Sequence, residues 1–362
     1  MKQEHLVGKV QTVLGLIEPE SLGITLPHEH LLTDLWCYFA EPVEASEKKK
    51  AYEPVGLENL WWVKPHSLSS LDDLKMLDEQ VAIKEAMMFK LAGGNSIVEM
   101  SNIGLCRDPL GLVRISRATG LNIVMGAGYY IAISHPPEVA DMAEDEIVEG
   151  IVREVLEGVG DTGVCAGIIG EVGISVPMDE TDPKMLRAVA RAQRLTGAPV
   201  NIHPSIDDDL LLAIIEILRD AGADLNRTVI SHMDGFGFSP ATRRKVAETG
   251  CYIEYDTFGH PDILTPLQGR IINMPSDTQR VTDIVELIGA GYLNQILVSQ
   301  DHCFKHCWAS YGGYGYAHIL RDMAPVMRVK GITEEQIHTI LVENPKRLLT
   351  FAPATAWGKS AG

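Results

Sequence analysis

Eight short, evenly apolar runs, each followed by a longer stretch of helical patterning, constrain this chain more than any other feature. The runs are "ITLPHEH" (24–30), "SIVEMS" (96–101), "NIVMGAG" (122–128), "AGIIGEVG" (166–173), "APVNIHP" (198–204), "TVISHMD" (228–234), "CYIEYD" (251–256) and "QILVSQD" (295–301). Helix-like segments at 72–92, 137–157, 184–196, 208–221, 240–249 and 278–290 fall between them. A strand with one wet face alternates apolar with polar residues, and these do not, so both faces are expected to be covered. Buried parallel strands with helices outside describe a (β/α)8 TIM barrel. A short β-hairpin over roughly Leu6 to Leu22 precedes it. A doubly wound open sheet is the competing arrangement, but no G-x-G-x-x-G follows the first strand. No Pro-, Gly- or Ser-rich linker divides the chain, so residues 1–362 read as a single domain.

Charge and composition narrow the partners. A formal net charge of −18 argues against nucleic acid and anionic membrane, both of which need a basic face. No apolar run is long enough to span a bilayer, and "MKQEHLVGKVQT" lacks the apolar core of an export signal. The six cysteines show no disulfide-framework spacing. A cytoplasmic protein with reduced thiols, acting on a small molecule, is the expectation.

Polar residues gather where the strands stop. The first run ends in His28-Glu29-His30, and positions i and i+2 of an extended chain share a side, so His28 and His30 point together. The fourth run carries Glu171; the fifth, sixth and eighth supply His203, His232 and Asp301. Barrel active sites are built on that face, from the ends of different strands. Any one of these has an ordinary alternative as a cap or a satisfied core histidine; six together read as a coordination set. Six ligands exceed one tetrahedral zinc, so two cations sharing a carboxylate is the natural count. The segment "DHCFKHCW" (301–308) also offers His302, Cys303, His306 and Cys307, but crowds them into one loop, and is read as ordinary.

"HEH", "GEVG", "IHP", "SHMD" and "SQD", in this order, together with the closing "EEQIHTILVENPKRLL" (334–349), resemble the phosphotriesterase family of the amidohydrolase superfamily, from about Val10 to Phe351. The resemblance implies that His28, His30 and Asp301 hold a more buried metal and that His203 and His232 hold a more exposed one. Glu171 stands where the best-known members carry a carboxylated lysine; this resembles a branch that includes resiniferatoxin-binding relatives. Two divalent ions are implied, zinc foremost with manganese, cobalt or iron as alternatives, and a homodimer is common in the family.

The chemistry so implied is hydrolysis of a lactone, carboxyl ester or related acyl or phosphoester bond by hydroxide held between the cations, with Asp301 taking its proton. An N-acyl amine or amino-acid amidohydrolase is one alternative; a non-catalytic ligand-binding protein with a retained metal site is another. A mononuclear deaminase needs a catalytic Glu soon after the fifth-strand His, and "HPSIDDD" offers none. Substrate contacts are expected from Tyr129 and Tyr130 after the third strand, from Asp256 at the end of the seventh, and from Trp308. Trp61, Trp62 and Tyr311 are candidates for an apolar wall, and Asp234 for a proton relay. The long connections 35–71 and 301–317 are the expected sources of specificity.

Overall fold

The computed structural model describes residues 5–261, 264–267 and 270–355. Residues 1–4 and 356–362, expected to belong to the same domain, lie outside the described residues. Eight parallel strands run in the order expected from the sequence: Thr25–Glu29, Ser96–Glu99, Asn122–Ala127, Ile168–Gly173, Val200–His203, Thr228–Ile230, Tyr252–Tyr255 and Ile296–Val298. Each pairs in parallel with the next around a nearly closed (β/α)8 barrel. The N-terminal hairpin is present as Val10–Thr12 against Gly15–Ile17.

The first and last strands close the ring largely through a side chain. Glu29 accepts hydrogen bonds from Ser299 Oγ and the Gln300 backbone N–H, both at 2.8 Å, while the His28 N–H donates to Ser299 Oγ at 3.1 Å. Its carboxyl is fully buried, which pushes its pKa up to about 8 despite these donors. The inward direction of His28 and His30 thus sends the intervening carboxylate into the seam of the barrel.

Helices Glu79–Leu91, Glu144–Leu156, Asp182–Thr196, Asp208–Asp220, Pro240–Glu248 and Asp277–Gly289 fall on the expected segments. Asp78, Asp207, Ser239 and Ser276 cap four of them by accepting from first-turn N–H groups, each such cap contributing about 1 kcal/mol. Pro109–Thr119 is a further barrel helix that the sequence pattern did not separate. Its start is written in Asp108-Pro109, a cap followed by a proline at the first helical position, but Gly111, Val113 and Ile115 blur its interior. An antiparallel hairpin, Leu264–Leu267 with Arg270–Asn273, was likewise not anticipated.

Residues 35–71 are ordered into short helical turns, including Leu60–Val63 and Lys64–Ser69. Trp62 anchors them: it is buried among Ala51, Val55 and Val63 and stacks on His66 at 4.8 Å. Trp61 lies outside, 69% exposed, with the Lys50 ammonium 4.9 Å from its ring. Among the described residues no helix is long and apolar enough to cross a membrane, and none of the six cysteines is paired.

Candidate metal centre

The C-terminal mouth of the barrel brings all six expected ligands together. His28 and His203 sit on strands, His30 follows one immediately, and Glu171 lies within the fourth. His232 and Asp301 come two and three residues after their strands, and both have left-handed backbones, with φ of 56° and 45°. That conformation is costly for residues other than glycine, and it persists where surrounding structure enforces it. Gly170 precedes Glu171 with φ of 152°, and a Cβ there would come within 2.7 Å of the Asn201 carbonyl oxygen. A glycine is therefore required for the strand to present Glu171 inward.

The carboxylate of Glu171 is shared. Its Oε1 lies 3.3 Å from His30 Nε2 and 3.7 Å from His28 Nε2. Its Oε2 lies 2.9 Å from His203 Nδ1 and 3.4 Å from His232 Nε2. Asp301 Oδ1 joins the first group, 3.2 Å from His30 Nε2 and 3.7 Å from His28 Nε2. Two donor sets result, His28–His30–Glu171 and Glu171–His203–His232, with Asp301 reaching His28 and His232 in a third.

The outer nitrogens explain why the inner ones converge. His28 Nδ1 donates to Glu254 Oε2 at 3.0 Å, His30 Nδ1 meets Ser101 Oγ at 2.9 Å, and His232 Nδ1 donates to Asp256 Oδ1 at 3.0 Å. Anchoring one ring nitrogen fixes the tautomer and aims the other, as at metal-ligating histidines. His28 Nε2 is buried with no hydrogen-bond partner, and His232 Nε2 stands 2.8 Å from His203 Nδ1. Four imidazole nitrogens and two carboxylates facing one another is a donor set that suits divalent cations, so the residues fit the metals expected of them.

The electrostatics agree. Burial pushes the Glu171 carboxyl up, but His28, His203 and His232 outweigh it and hold the group well below the usual carboxylate range. Asp301 is likewise held low against burial by His30, His28 and His232. Burial alone would lower His30; Asp301 and Glu171 lift it to about 9. Both carboxylates are thus held in the ionised form that coordination requires.

Three of the expected substrate contacts lie elsewhere. Tyr129 faces a separate cleft with Glu146 and Arg153, because Tyr129 and Tyr130 continue the strand direction and successive residues point to opposite sides. Tyr130 takes the inner side, 2.9 Å from Tyr38 Oη and 3.4 Å from His203 Nδ1. Asp256 is fully buried behind His232 and accepts from its ring and its backbone N–H, so it positions the ligand and does not reach the cavity. Trp308 is fully buried; its indole donates to Tyr316 Oη, which donates to the His30 carbonyl. Trp61, Trp62 and Tyr311 do not line the cavity either. Asp234 is occupied by Arg280 Nε at 2.8 Å and by Thr257, which leaves it no free path to the cluster as a relay.

The cavity above the cluster is instead walled by Leu35, Tyr38 and Leu68 from segment 35–71, with Phe236, Phe304 and Ile272. Lys64, Ser67, Thr257, His260 and His306 are further polar members, none of them singled out from sequence as a substrate contact. His306 pairs with buried Asp73 at 2.7 Å, so the second histidine of the "DHCFKHCW" loop serves a cavity wall. The roles of Glu254 and Asp256 had a legible signal: two acids at i and i+2 of an otherwise apolar strand share one inner face.

An eight-stranded barrel with this donor set at its mouth defines a metal-dependent hydrolase. The chain belongs to the Phosphotriesterase family, which residues 8–349 match. It is 43% identical over 347 residues to an N-acetyltaurine hydrolase of Xenopus tropicalis, covering 96% of this chain and 99% of that one. Among solved structures it is similar to a resiniferatoxin-binding protein from Rhodobacter sphaeroides, with a TM-score of 0.91 and 36% identity over 94% of this chain and 95% of the other. A lactonase from Listeria monocytogenes follows at a TM-score of 0.75 and 26% identity, covering 95% and 99%.

Proposed function

We propose that the protein hydrolyses an N-acyl amine to a carboxylic acid and a free amine, using two divalent cations, zinc foremost. The observation that carries this reading is 43% identity, over almost the whole of both chains, to a hydrolase named for N-acetyltaurine, against 26% to a lactonase. It moves the preference away from lactones and carboxyl esters, toward the amide alternative that the sequence left open. N-Acetyltaurine is the first substrate to test.

His28, His30 and Asp301 would hold one cation, His203 and His232 the other, with Glu171 between them. When bound, the cations supply Lewis acidity that polarises an acyl oxygen and acidifies water near neutral pH. Asp301 is the cluster member most open to the cavity, with its side chain 14% exposed. In the proposed reaction a water oxygen bonds to the acyl carbon, Asp301 accepts the proton, and the carbon–nitrogen bond breaks. The departing nitrogen then takes up that proton. Tyr130, with Tyr38 behind it, orients the acyl group beside His203.

The test is a hydrolysis screen of zinc- or manganese-reconstituted protein on N-acyl amines, N-acyl amino acids, lactones, carboxyl esters and a phosphotriester. Amide turnover that disappears on chelation and returns with metal supports the reading. Turnover confined to lactones and esters refutes it in favour of the second reading, for which the lactonase likeness and Tyr130 speak.

A further inference from the structure

We propose that Lys64 selects substrates carrying an anionic group, a sulfonate or carboxylate, on the amine side of the scissile bond; this rests on the acyl-amide reading above. Lys64 opens the turn segment Lys64–Ser69, which also brings Ser67 and Leu68 to the cavity wall. Among the described residues that line the cavity, it is the one lysine or arginine.

Its neighbours in the same region are paired: Lys48 with Glu41, Lys50 with Glu47, Lys305 with Asp72. Lys64 forms no ion pair among the described residues, in a chain whose acids outnumber its lysines and arginines by 49 to 31. His306, a second basic group of the wall outside the metal cluster, is already balanced. Burial would lower His306, but Asp73 raises it to about 10, and the two lie 2.7 Å apart.

Segment 35–71 and the 301–317 connection also give this wall the apolar side chains of Leu35, Leu68 and Phe304, beside the hydroxyls of Tyr38 and Ser67. An anion placed against such a surface loses hydration and needs a counter-charge; a lone ammonium beside it has the same need. A substrate with its acyl group at the cluster and an anionic tail directed at Lys64 satisfies both. A lysine suits either tail, since it acts as a point charge on planar or tetrahedral anions alike, whereas an arginine fork favours bidentate geometry.

The test compares metal-reconstituted wild type, Lys64→Met and Lys64→Arg on N-acetyltaurine, N-acetyl-β-alanine and uncharged N-acetylethanolamine. The expected result is that Lys64→Met lowers the ratio of kcat/KM for anionic over uncharged substrate by about 10- to 100-fold, mainly through KM. Lys64→Arg should retain most of the preference, which also shows that the segment folds. Calorimetric affinity for N-acetyltaurine should fall by a similar factor in Lys64→Met, and the wild-type preference should shrink with added salt.

A ratio unchanged in Lys64→Met, or equal losses on all three substrates, overturns the proposal; the second pattern marks a merely structural residue. Amide turnover by wild type with no gain from the anionic tail leaves the acyl-amide reading standing and removes Lys64 from it. Absence of any amide turnover removes the reading, and calorimetry then decides Lys64 by itself: equal affinity of wild type and Lys64→Met for N-acetyltaurine sinks the anion site.

Discussion

The two oxygens of Glu171 face halves of the centre that are held in different ways. On the Oε1 side, both imidazoles have their outer nitrogen anchored, His28 on Glu254 and His30 on Ser101, and the Asp301 N–H donates to the His28 carbonyl at 3.2 Å. On the Oε2 side, His232 is anchored on Asp256, but the outer nitrogen of His203, Nε2, is buried without a partner. The first half lies where strands one and eight close the barrel; the second lies on strands five and six, beside the cavity. The difference teaches that every imidazole of one donor set is aimed by an outer hydrogen bond, while in the other the His203 ring is held from outside by packing against Tyr130 and Phe236. A ligand geometry fixed by outer hydrogen bonds binds more tightly, so the His203–His232 half should give up its cation first.

The largest effect should come from the residue common to both halves. Glu171→Ala is expected to abolish hydrolysis and lower bound metal from about two ions per chain toward one or none, measured by elemental analysis. Retention of both ions would remove Glu171 from the bridge and dissolve the division itself. Asp301→Asn comes next, with a loss of about 10²- to 10⁴-fold in kcat. A loss confined to KM would count against its role in moving the proton.

How the halves could be read from sequence differs in the same way. His28, His30, Glu171 and His203 were legible because a strand of period two and a barrel mouth fix where a side chain at a strand end must point, whereas His232 and Asp301 lie beyond their strands in left-handed turns and were marked by the order of the motifs. Glu29 followed from the same alternation, and its burial in the seam is the direct consequence of aiming His28 and His30 inward. The alternation also separates Tyr130 from Tyr129, but only once the strand is known to run on past Ala127, which Tyr130's N–H to Ile103's carbonyl reveals. Trp308 was misplaced because a large aromatic next to a mouth has two ways to be useful, and burial beneath Tyr316 is invisible without the packing. The wall from segment 35–71 was illegible for a related reason. Leu35, Tyr38, Lys64 and Leu68 have no periodicity, and Leu35, Tyr38 and Leu68 are placed by packing against Leu74, Leu105, Tyr130 and Cys303, residues outside the segment.

Outer anchors give a finer test of the comparison. Glu254→Gln should weaken metal binding by about 10- to 100-fold, the range seen when a hydrogen-bonded carboxylate behind a ligating histidine is lost. The loss should fall on the half that is otherwise slower to release, so two-phase chelation kinetics in wild type should merge toward one phase. Asp256→Asn should instead speed the phase that is already faster and widen the gap between the two. If both variants changed the same phase, the outer anchors would be shared between the halves rather than separate. That result is physically reasonable, since Asp256 Oδ2 also lies 3.4 Å from His28 Nδ1.

The smallest expected effect comes from Ser101→Ala, and it separates charge from geometry within the better-anchored half. Ser101 and Glu254 each hold the outer nitrogen of one imidazole, at 2.9 and 3.0 Å, yet one is a neutral hydroxyl and the other a fully buried acid. A neutral hydrogen bond contributes about 1 kcal/mol, roughly a fivefold change in an equilibrium constant, while one to a charged group contributes about 1.5–3 kcal/mol. Ser101→Ala should therefore shift the metal titration midpoint by about fivefold, well short of Glu254→Gln, and leave the order of release unchanged. Equal shifts in the two variants would mean that ring orientation alone makes this half the tighter one. A negligible shift in Ser101→Ala beside a large one in Glu254→Gln would mean that the buried negative charge does so.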